Sequence, residues 1–257
     1  MPSWDPLQYG RYADERARPF ADLLVRVDVQ APGLVVDLGC GTGALTSSLA
    51  ERWPGAHVVG VDSSPEMLEQ AAAHASARLR FELADVSRWQ PGAPVDVLVT
   101  NATLQWVPGH LDLLRRWVGT LAPGGVLALQ VPTNFDAPSH RLMRELAGSA
   151  EFAPHLAGVL RGSESVAEPA RYAELLAEAG CVVDVWETTY LHVLPGEDAV
   201  LEWVRGTGLR PVLDALDPHT TRAFVDRYAA LLRTAYPRRE WGTLLAFRRI
   251  FAVARRP

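Results

Sequence analysis

The fold of this chain is decided by ten residues near its start, Leu34-Val35-Val36-Asp37-Leu38-Gly39-Cys40-Gly41-Thr42-Gly43. A short β-branched run is typical of a buried parallel strand. The three alternating glycines that follow allow positive φ angles and let the backbone come close to a ligand. This stretch therefore predicts a strand and a ligand-binding loop, followed by a helix.

Strands and helices continue to alternate after this loop. We predict further strands at 57–61, 79–84, 95–100 and 126–131, then at 181–191 and 244–254. Alternation of this kind gives right-handed crossovers and a parallel sheet, whose ligands bind beyond the carboxyl ends of the strands. We predict an α/β fold with a mostly parallel seven-stranded sheet and helices on both faces.

Two segments of the second half lack a strand pattern and have helical and loop composition, at about 133–168 and 197–242. We predict one domain, 1–257, in which these insertions form a helical lid over the cofactor edge of the sheet.

The composition limits the partners and the chemistry. The net charge of −5 argues against a nucleic-acid-binding surface, which normally shows a basic excess. All 25 basic residues are arginine, so Schiff-base chemistry on lysine is impossible and anions must be bound by arginine or by neutral donors. The two cysteines show no zinc-site spacing, and we expect no bound metal.

The chain shows no targeting or membrane signal. Its N-terminus lacks the pattern of a signal peptide, and no apolar run reaches the length of a membrane span. We expect a cytoplasmic monomer that acts on a small molecule.

The glycine loop alone does not identify the cofactor, because Gly39-x-Gly41-x-x-Ala44 also matches a dinucleotide site. Asp37 would repel a pyrophosphate but attract the ammonium group of a methionine. Asp62 follows the second strand and can accept ribose hydroxyls in either kind of site. Asp85 follows the third strand and can accept a hydrogen bond from an adenine amine. These acids favour S-adenosylmethionine over a nicotinamide cofactor.

The motifs Asp37–Gly43, Asp62 and Ala84-Asp85 resemble the first three motifs of the class I S-adenosylmethionine-dependent methyltransferases, whose fold is Rossmann-like. The resemblance implies that the loop holds the methionine part, Asp62 the ribose and Asp85 the adenine, and that S-adenosylhomocysteine is the product. The residues expected to contact the cofactor are Asp37, Gly39, Gly41, Asp62, Ser63, Asp85, Val86, Trp89 and Asn101.

A closer resemblance covers nearly the whole chain. Among other segments, Trp4-Asp5-Pro6, Asn101-Ala102-Thr103-Leu104-Gln105-Trp106 and Gly206-Thr207-Gly208-Leu209-Arg210-Pro211 resemble the family of trans-aconitate 2-methyltransferases. The resemblance implies methylation of one carboxylate of a small tricarboxylic acid, giving a monomethyl ester. The sequence departs from that family mainly at 135–168, where the choice of substrate could differ.

A carboxylate acceptor is ionised at neutral pH and needs positioning, for which we expect Gln105 and Trp106, but no general base. The candidate acceptor-binding residues are Tyr9, Arg18, Gln105, Trp106, Arg161, His192, Arg210, Tyr236 and Arg248. Each also has a structural alternative, such as packing, capping or a surface ion pair. In the last strand, at most one of the neighbours Arg248 and Arg249 points inward.

Two other functions remain open at this point. The acceptor could be a hydroxyl group or a quinone carbon, which would call for a base or a metal in the insertions. The chain could also bind the cofactor without catalysing a reaction.

Overall fold

The computed structural model describes residues 13–160, 162 and 165–257. Two predicted acceptor-binding residues, Tyr9 and Arg161, lie outside the described residues. Within this part of the chain, no helix combines the length and the apolar character that crossing a bilayer requires.

Seven strands form one sheet in the order β3-β2-β1-β4-β5-β7-β6. The strands are β1 (Leu34–Leu38), β2 (His57–Asp62), β3 (Leu79–Leu83), β4 (Val95–Asn101), β5 (Leu121–Pro132), β6 (Val182–Leu194) and β7 (Thr243–Arg255). Strands β1 to β5 pair in parallel, and β7 pairs antiparallel to β5. The predicted mostly parallel seven-stranded sheet is confirmed.

The α-helices of the described chain are α1 (Ala13–Val25), α2 (Ala44–Arg52), α3 (Pro65–Ala71), α4 (His110–Thr120), α5 (Pro138–Ala147), α6 (Ala153–Leu156), α7 (Pro169–Glu178), α8 (Ala199–Arg205), α9 (Arg210–Ala215) and α10 (Pro218–Ala235). Short 3₁₀ turns lie at Ala72–His74 and Leu104–Trp106. Proline stands in the first turn of several helices, where its missing N–H has no intrahelical partner to lose.

The apolar run of β1 is explained by its place in the sheet. Its neighbours are β2 on one side and β4 on the other, and Val35, Val36 and Leu38 are fully buried. The chain adds β2 and β3 on one side of β1 and then β4 and β5 on the other side, so the direction in which strands are added reverses between β1 and β4. The carboxyl ends of these two strands are therefore where a doubly wound sheet opens for a ligand.

Strand β5 begins five residues earlier than the sequence predicts. The segment Ala122-Pro123-Gly124-Gly125 looks like a helix stop, but the structure includes it in the strand. The pairing with β4 shifts register between Val95 and Val97, and Gly124 takes a φ of 75°. A bulge thus lets a proline and two glycines start a strand whose regular part begins at Val126.

The described chain divides into two compact units. The sheet unit holds Asp14–Pro132, Ser165–Thr188 and Arg249–Pro257, and the helical unit holds residues 133–160 and Thr189–Arg248. The core of the sheet unit contains Leu98, Leu127 and Trp117, and the helical unit has its own core around Trp203, Phe224 and Tyr228. The description of the chain as one domain with a lid stays a prediction.

Asp96 fixes the start of β1 against β4. One oxygen of its carboxylate accepts hydrogen bonds from the backbone N–H groups of Gly33 (2.8 Å) and Leu34 (2.9 Å). We predict that Asp96→Ala lowers the free energy of unfolding by about 1–3 kcal/mol, because two backbone donors lose a charged acceptor. Urea denaturation at neutral pH measures this difference.

The matched control is Asp226→Ala, which removes an exposed carboxylate on α10. It should change stability by no more than about 0.5 kcal/mol. Equal losses in the two variants would show that the backbone contacts of Asp96 contribute little.

Candidate functional site

The glycine loop between β1 and α2 takes the conformation that its sequence predicts. Gly39, Gly41 and Gly43 have φ angles of 82°, 54° and 76°, a region that side-chain-bearing residues rarely adopt. A Cβ added to Gly39 would overlap the side chain of Thr103, which follows β4. Gly39 is thus required both by its backbone angle and by close contact with the segment after β4.

The end of β2 holds this loop in place. The backbone N–H groups of Gly39 and Cys40 donate to the Val61 carbonyl at 2.7 and 3.1 Å. The Asp62 carboxylate accepts from Gly41 N at 2.9 Å through one oxygen and from Ser64 N at 2.9 Å through the other. Each oxygen keeps a further lone pair, so Asp62 can still accept the two ribose hydroxyls expected from the sequence. Ser63 lies partly buried beside it.

Asp37 is the one buried acid of this group. It is 3% exposed, and its carboxylate accepts a hydrogen bond of 2.7 Å from the Thr46 hydroxyl on α2. Burial raises the pKa of Asp37 to about 7; the Thr46 hydrogen bond opposes this shift, and the negative charge of Asp62 adds to it. A cation placed beside Asp37 would reverse the shift, so the site is suited to an ammonium group.

Asp85 lies at the same edge of the sheet in a different environment. Ala84 N donates to the Asp62 carbonyl at 2.9 Å, which joins the ends of β2 and β3. Hydrogen bonds from Ser87, including one from its N–H at 2.8 Å, hold the pKa of Asp85 below its usual value. Asp85 therefore remains an ionised acceptor. Val86 is buried behind it, and the indole N–H of Trp89 donates to Glu82 at 3.4 Å.

The segment after β4 is tightly fixed. Ala102 takes a φ of 53°, the one positive value found for a described residue other than glycine. The side-chain amide of Gln105 is buried and donates to the Ala102 carbonyl at 2.6 Å. Trp106 closes the 3₁₀ turn and is partly buried. The structure therefore brings the positioning candidates Gln105 and Trp106 and the cofactor candidate Asn101 into one short segment beside the glycine loop.

Three residues predicted to bind the methyl acceptor, His192, Arg210 and Tyr236, lie in the helical unit. His192 is buried against Trp203, with ring centroids 4.9 Å apart. Arg210 begins α9 and lies 3.8 Å from Asp214, and its side chain is mostly buried. The Tyr236 hydroxyl accepts from Ser139 N at 3.0 Å, at the start of α5. Their role in binding an acceptor stays a prediction.

Arg18 lies on α1 with a largely exposed side chain, 3.8 Å from Asp22. At the other end of the chain, the backbone of Arg248 is held by the side-chain amide of Asn134, which donates to its carbonyl (3.2 Å) and accepts from its N–H (2.8 Å). Arg249 is more deeply buried than its neighbour, at 4% exposure, and its guanidinium donates to Gln130 at 3.0 Å. The Arg249 guanidinium thus contacts β5 within the sheet unit.

Sequence reasoning missed three side chains at this edge of the sheet. Thr46 and Thr103 could not be found from spacing, because their roles depend on the packing of α2 and of the segment after β4. Gln130 did leave a signal, since it is a polar residue inside the apolar run Val126-Leu127-Ala128-Leu129-Gln130-Val131.

The sequence of this chain is similar to that of known methyltransferases. A family model described as a methyltransferase domain matches residues 35–125. The chain is 59% identical to trans-aconitate 2-methyltransferase from Streptomyces coelicolor, over all of this chain and 88% of that protein. It is 53% identical to trans-aconitate 2-methyltransferase from Rhodococcus jostii, over 98% of each chain.

Solved structures show the same fold at low sequence identity. A methyltransferase from Geobacter sulfurreducens in complex with S-adenosylhomocysteine matches with a TM-score of 0.56 and 18% identity, covering 94% of this chain and 91% of that one. A methyltransferase from Thiobacillus denitrificans, also in complex with S-adenosylhomocysteine, matches with a TM-score of 0.56 and 19% identity over the same shares.

The burial of Asp37 predicts an unusual dependence of stability on pH. In the unfolded chain this carboxyl ionises near 3.8, whereas in the folded chain its pKa is about 7. Between these values the folded state holds a proton that the unfolded state has lost, so the contribution of Asp37 to stability falls as pH rises from about 4 to 7. Asp37→Asn removes this dependence. We expect its stability gain over the parent to be larger at pH 8 than at pH 4, by up to about 4 kcal/mol.

Urea denaturation of both proteins at several pH values tests this prediction. Asp85→Asn is a control for which the opposite change is expected. A carboxyl with a lowered pKa stabilises the fold more as pH rises, so Asp85→Asn should lose stability relative to the parent as pH rises. A stability difference between Asp37→Asn and the parent that does not change with pH would contradict the prediction.

Proposed function

Because this chain belongs to the family of trans-aconitate 2-methyltransferases, which are class I S-adenosylmethionine-dependent enzymes, we propose that it methylates one carboxylate of trans-aconitate. The product is the monomethyl ester. The observation that carries the proposal is the buried carboxyl of Asp37 beside the glycine loop. It occurs in a chain that is similar over its whole length to a trans-aconitate 2-methyltransferase.

The residues at the carboxyl ends of β1 to β3 fit the cofactor. Asp37 provides a negative charge for the ammonium group, and the positive φ angles of the glycine loop allow the backbone to lie against the methionine part. Asp62 accepts the ribose hydroxyls, and Asp85 and Trp89 lie where the adenine is expected. Asp37 must be ionised to hold an ammonium group, so the raised pKa makes cofactor affinity decrease below about pH 7.

When bound, S-adenosylmethionine supplies a methyl group on a positively charged sulfur, and its transfer to a carboxylate oxygen leaves a neutral thioether and an ester. We propose that the transfer is a direct in-line displacement. The acceptor is already ionised and gives up no proton, so the protein has no proton to remove. Asn101 to Trp106, the segment beside the glycine loop, accordingly carries no acid and no base.

The task left to the protein is to position the acceptor. The Gln105 side chain fixes the backbone after β4, and the contact of Thr103 with Gly39 sets the distance between this segment and the loop. The other carboxylates of the acid require cationic donors, and in this chain these are arginines. In the helical unit the candidate is Arg210, whose side chain is mostly buried and lies 3.8 Å from the Asp214 carboxylate.

We expect the purified protein to transfer labelled methyl groups from S-adenosylmethionine to trans-aconitate. The assay should include cis-aconitate, citrate and tricarballylate, together with a phenol and a quinone as acceptors of the alternative classes. Mass spectrometry of the product should show one added methyl group, and mild alkaline hydrolysis should remove it because it is an ester. Methylation of the phenol or the quinone but of none of the acids would refute the proposal.

Replacement of Arg210 tests its place in acceptor binding. We predict that Arg210→Gln raises the KM for trans-aconitate about tenfold or more, because a charged hydrogen bond contributes about 1.5–3 kcal/mol. The dissociation constant of S-adenosylhomocysteine, measured by calorimetry, should stay within about twofold of the parent value.

Arg222→Gln provides the matched control, since Arg222 is an exposed arginine of the same unit, on α10. It should leave both constants unchanged. If Arg210→Gln weakened cofactor and acceptor binding equally, or lowered only stability, Arg210 would have a structural role.

A further inference from the structure

A buried polar group outside the predicted site lies at the end of β5. Gln130 is fully buried, and its Oε1 accepts a hydrogen bond of 3.0 Å from the guanidinium of Arg249 on β7. A guanidinium can only donate, so this contact fixes which end of the Gln130 amide carries the nitrogen. The Nε2 atom is therefore a donor, and it is buried without a hydrogen-bond partner in the structure.

The neighbouring strand presents a second such group. Asn101, the last residue of β4, is the register partner of Gln130, and its Oδ1 is also buried without a partner. The next residue, Ala102, has the positive φ angle already described, and its N–H donates to the Gln130 carbonyl at 2.9 Å. An unsatisfied donor, an unsatisfied acceptor and a strained backbone thus occur at adjacent positions.

Each of these features destabilises the folded chain, because a buried polar group without a partner loses its hydrogen bonds to water. Such features persist in native proteins mainly where function requires them. Their position supports a role in ligand binding: they lie at the carboxyl ends of β4 and β5, and Thr103, two residues after Asn101, contacts Gly39 of the cofactor loop.

The charges indicate which ligand would bind. Arg249 is a permanent cation behind the Gln130 amide, and its hydrogen bond to Oε1 polarises the amide and strengthens Nε2 as a donor. A strengthened N–H donor favours a carboxylate oxygen, because a hydrogen bond to an ionised acceptor is stronger than one to a neutral acceptor. The Oδ1 atom of Asn101 has the opposite polarity and would repel an anion, so a carboxylate would be directed toward Gln130.

We propose that Gln130 is an acceptor-binding residue whose Nε2 donates a hydrogen bond to a carboxylate oxygen of the polyacid, and that Arg249 is the residue that positions and polarises it. This inference rests on the proposed function and identifies a contact in the sheet unit that the sequence did not predict. The structural alternative is that the two amides bond to each other or to an internal water and never meet a ligand.

Gln130→Glu separates the two explanations. The substitution keeps the shape of the side chain, replaces the donor by a carboxylate oxygen and pairs that carboxylate with Arg249. We expect the KM for trans-aconitate to rise at least tenfold with a smaller change in kcat. Calorimetric titration of trans-aconitate into protein loaded with S-adenosylhomocysteine should show the same loss of affinity, while the melting temperature stays level or rises.

Three further variants complete the test. Gln70→Glu adds the same charge at an exposed position on α3 and should change nothing. Gln130→Met removes the donor without adding charge, and we expect it to raise the KM for trans-aconitate as well. This variant carries the test if Gln130→Glu does not fold. Arg249→Met should raise the KM and Arg249→Lys should restore it in part, because lysine keeps a positive charge behind the amide.

The outcomes also distinguish this inference from the proposed function. If the parent protein methylates trans-aconitate but Gln130→Glu or Gln130→Met leaves the KM and the calorimetric affinity unchanged, the Gln130 contact is refuted and the proposed function stands. If the parent protein neither binds nor methylates any of the polyacids, the proposed function fails, and the inference fails with it.

Discussion

The Asp62 carboxylate is the contact on which the geometry of the site most depends. It joins two backbone segments, because one of its oxygens accepts from Gly41 in the glycine loop and the other from Ser64 before α3. A loop whose glycines all take positive φ has many alternative conformations, and a charged acceptor that fixes one of its N–H groups selects among them. The cofactor edge is thus held in shape by the same carboxylate that we expect to bind the ribose, so the loop is preorganised before any ligand arrives.

The two other acids of this edge, Asp37 and Asp85, are the same residue type but differ in pKa because their surroundings differ. Asp37 is enclosed between β1 and α2 with a single hydroxyl as donor, and burial raises its pKa. Asp85 lies in a turn where Ser87 donates to it, and its pKa is lowered. A cation can stabilise the ionised form of Asp37 by displacing a proton, whereas Asp85 offers a charge that is already present. The edge therefore combines an acid that is costly to ionise in the absence of a cation, Asp37, with one whose ionised form is stabilised by its own hydrogen bonds, Asp85.

The sequence predicted the central strands well, because β1, β2 and β4 are almost entirely buried and mostly apolar, and β1 begins and ends at the predicted residues. It failed at the start of β5, where a bulge admits a proline and two glycines that otherwise signal a helix end. The cofactor acids were predictable because each follows its strand directly. The contacts of Thr46, Thr103 and Gln130 were not, because they depend on how α2, the segment after β4 and β7 pack, and the polar position of Gln130 in an apolar run does not name its partner.

Because the chain has no lysine, the cation beside the buried Gln130 amide is an arginine, Arg249, whose charge does not depend on pH. A lysine buried like Arg249 could lose its proton and become neutral, because desolvation lowers the pKa of an ammonium group by several units. A guanidinium keeps its charge at any physiological pH, so Arg249 contributes a constant positive potential, and its planar donors hold Gln130 in one orientation. The Gln130 amide near the end of β5 therefore keeps its nitrogen as the donor over the whole physiological pH range, and this is the physical reason why we expect it to suit a carboxylate oxygen better than a neutral acceptor.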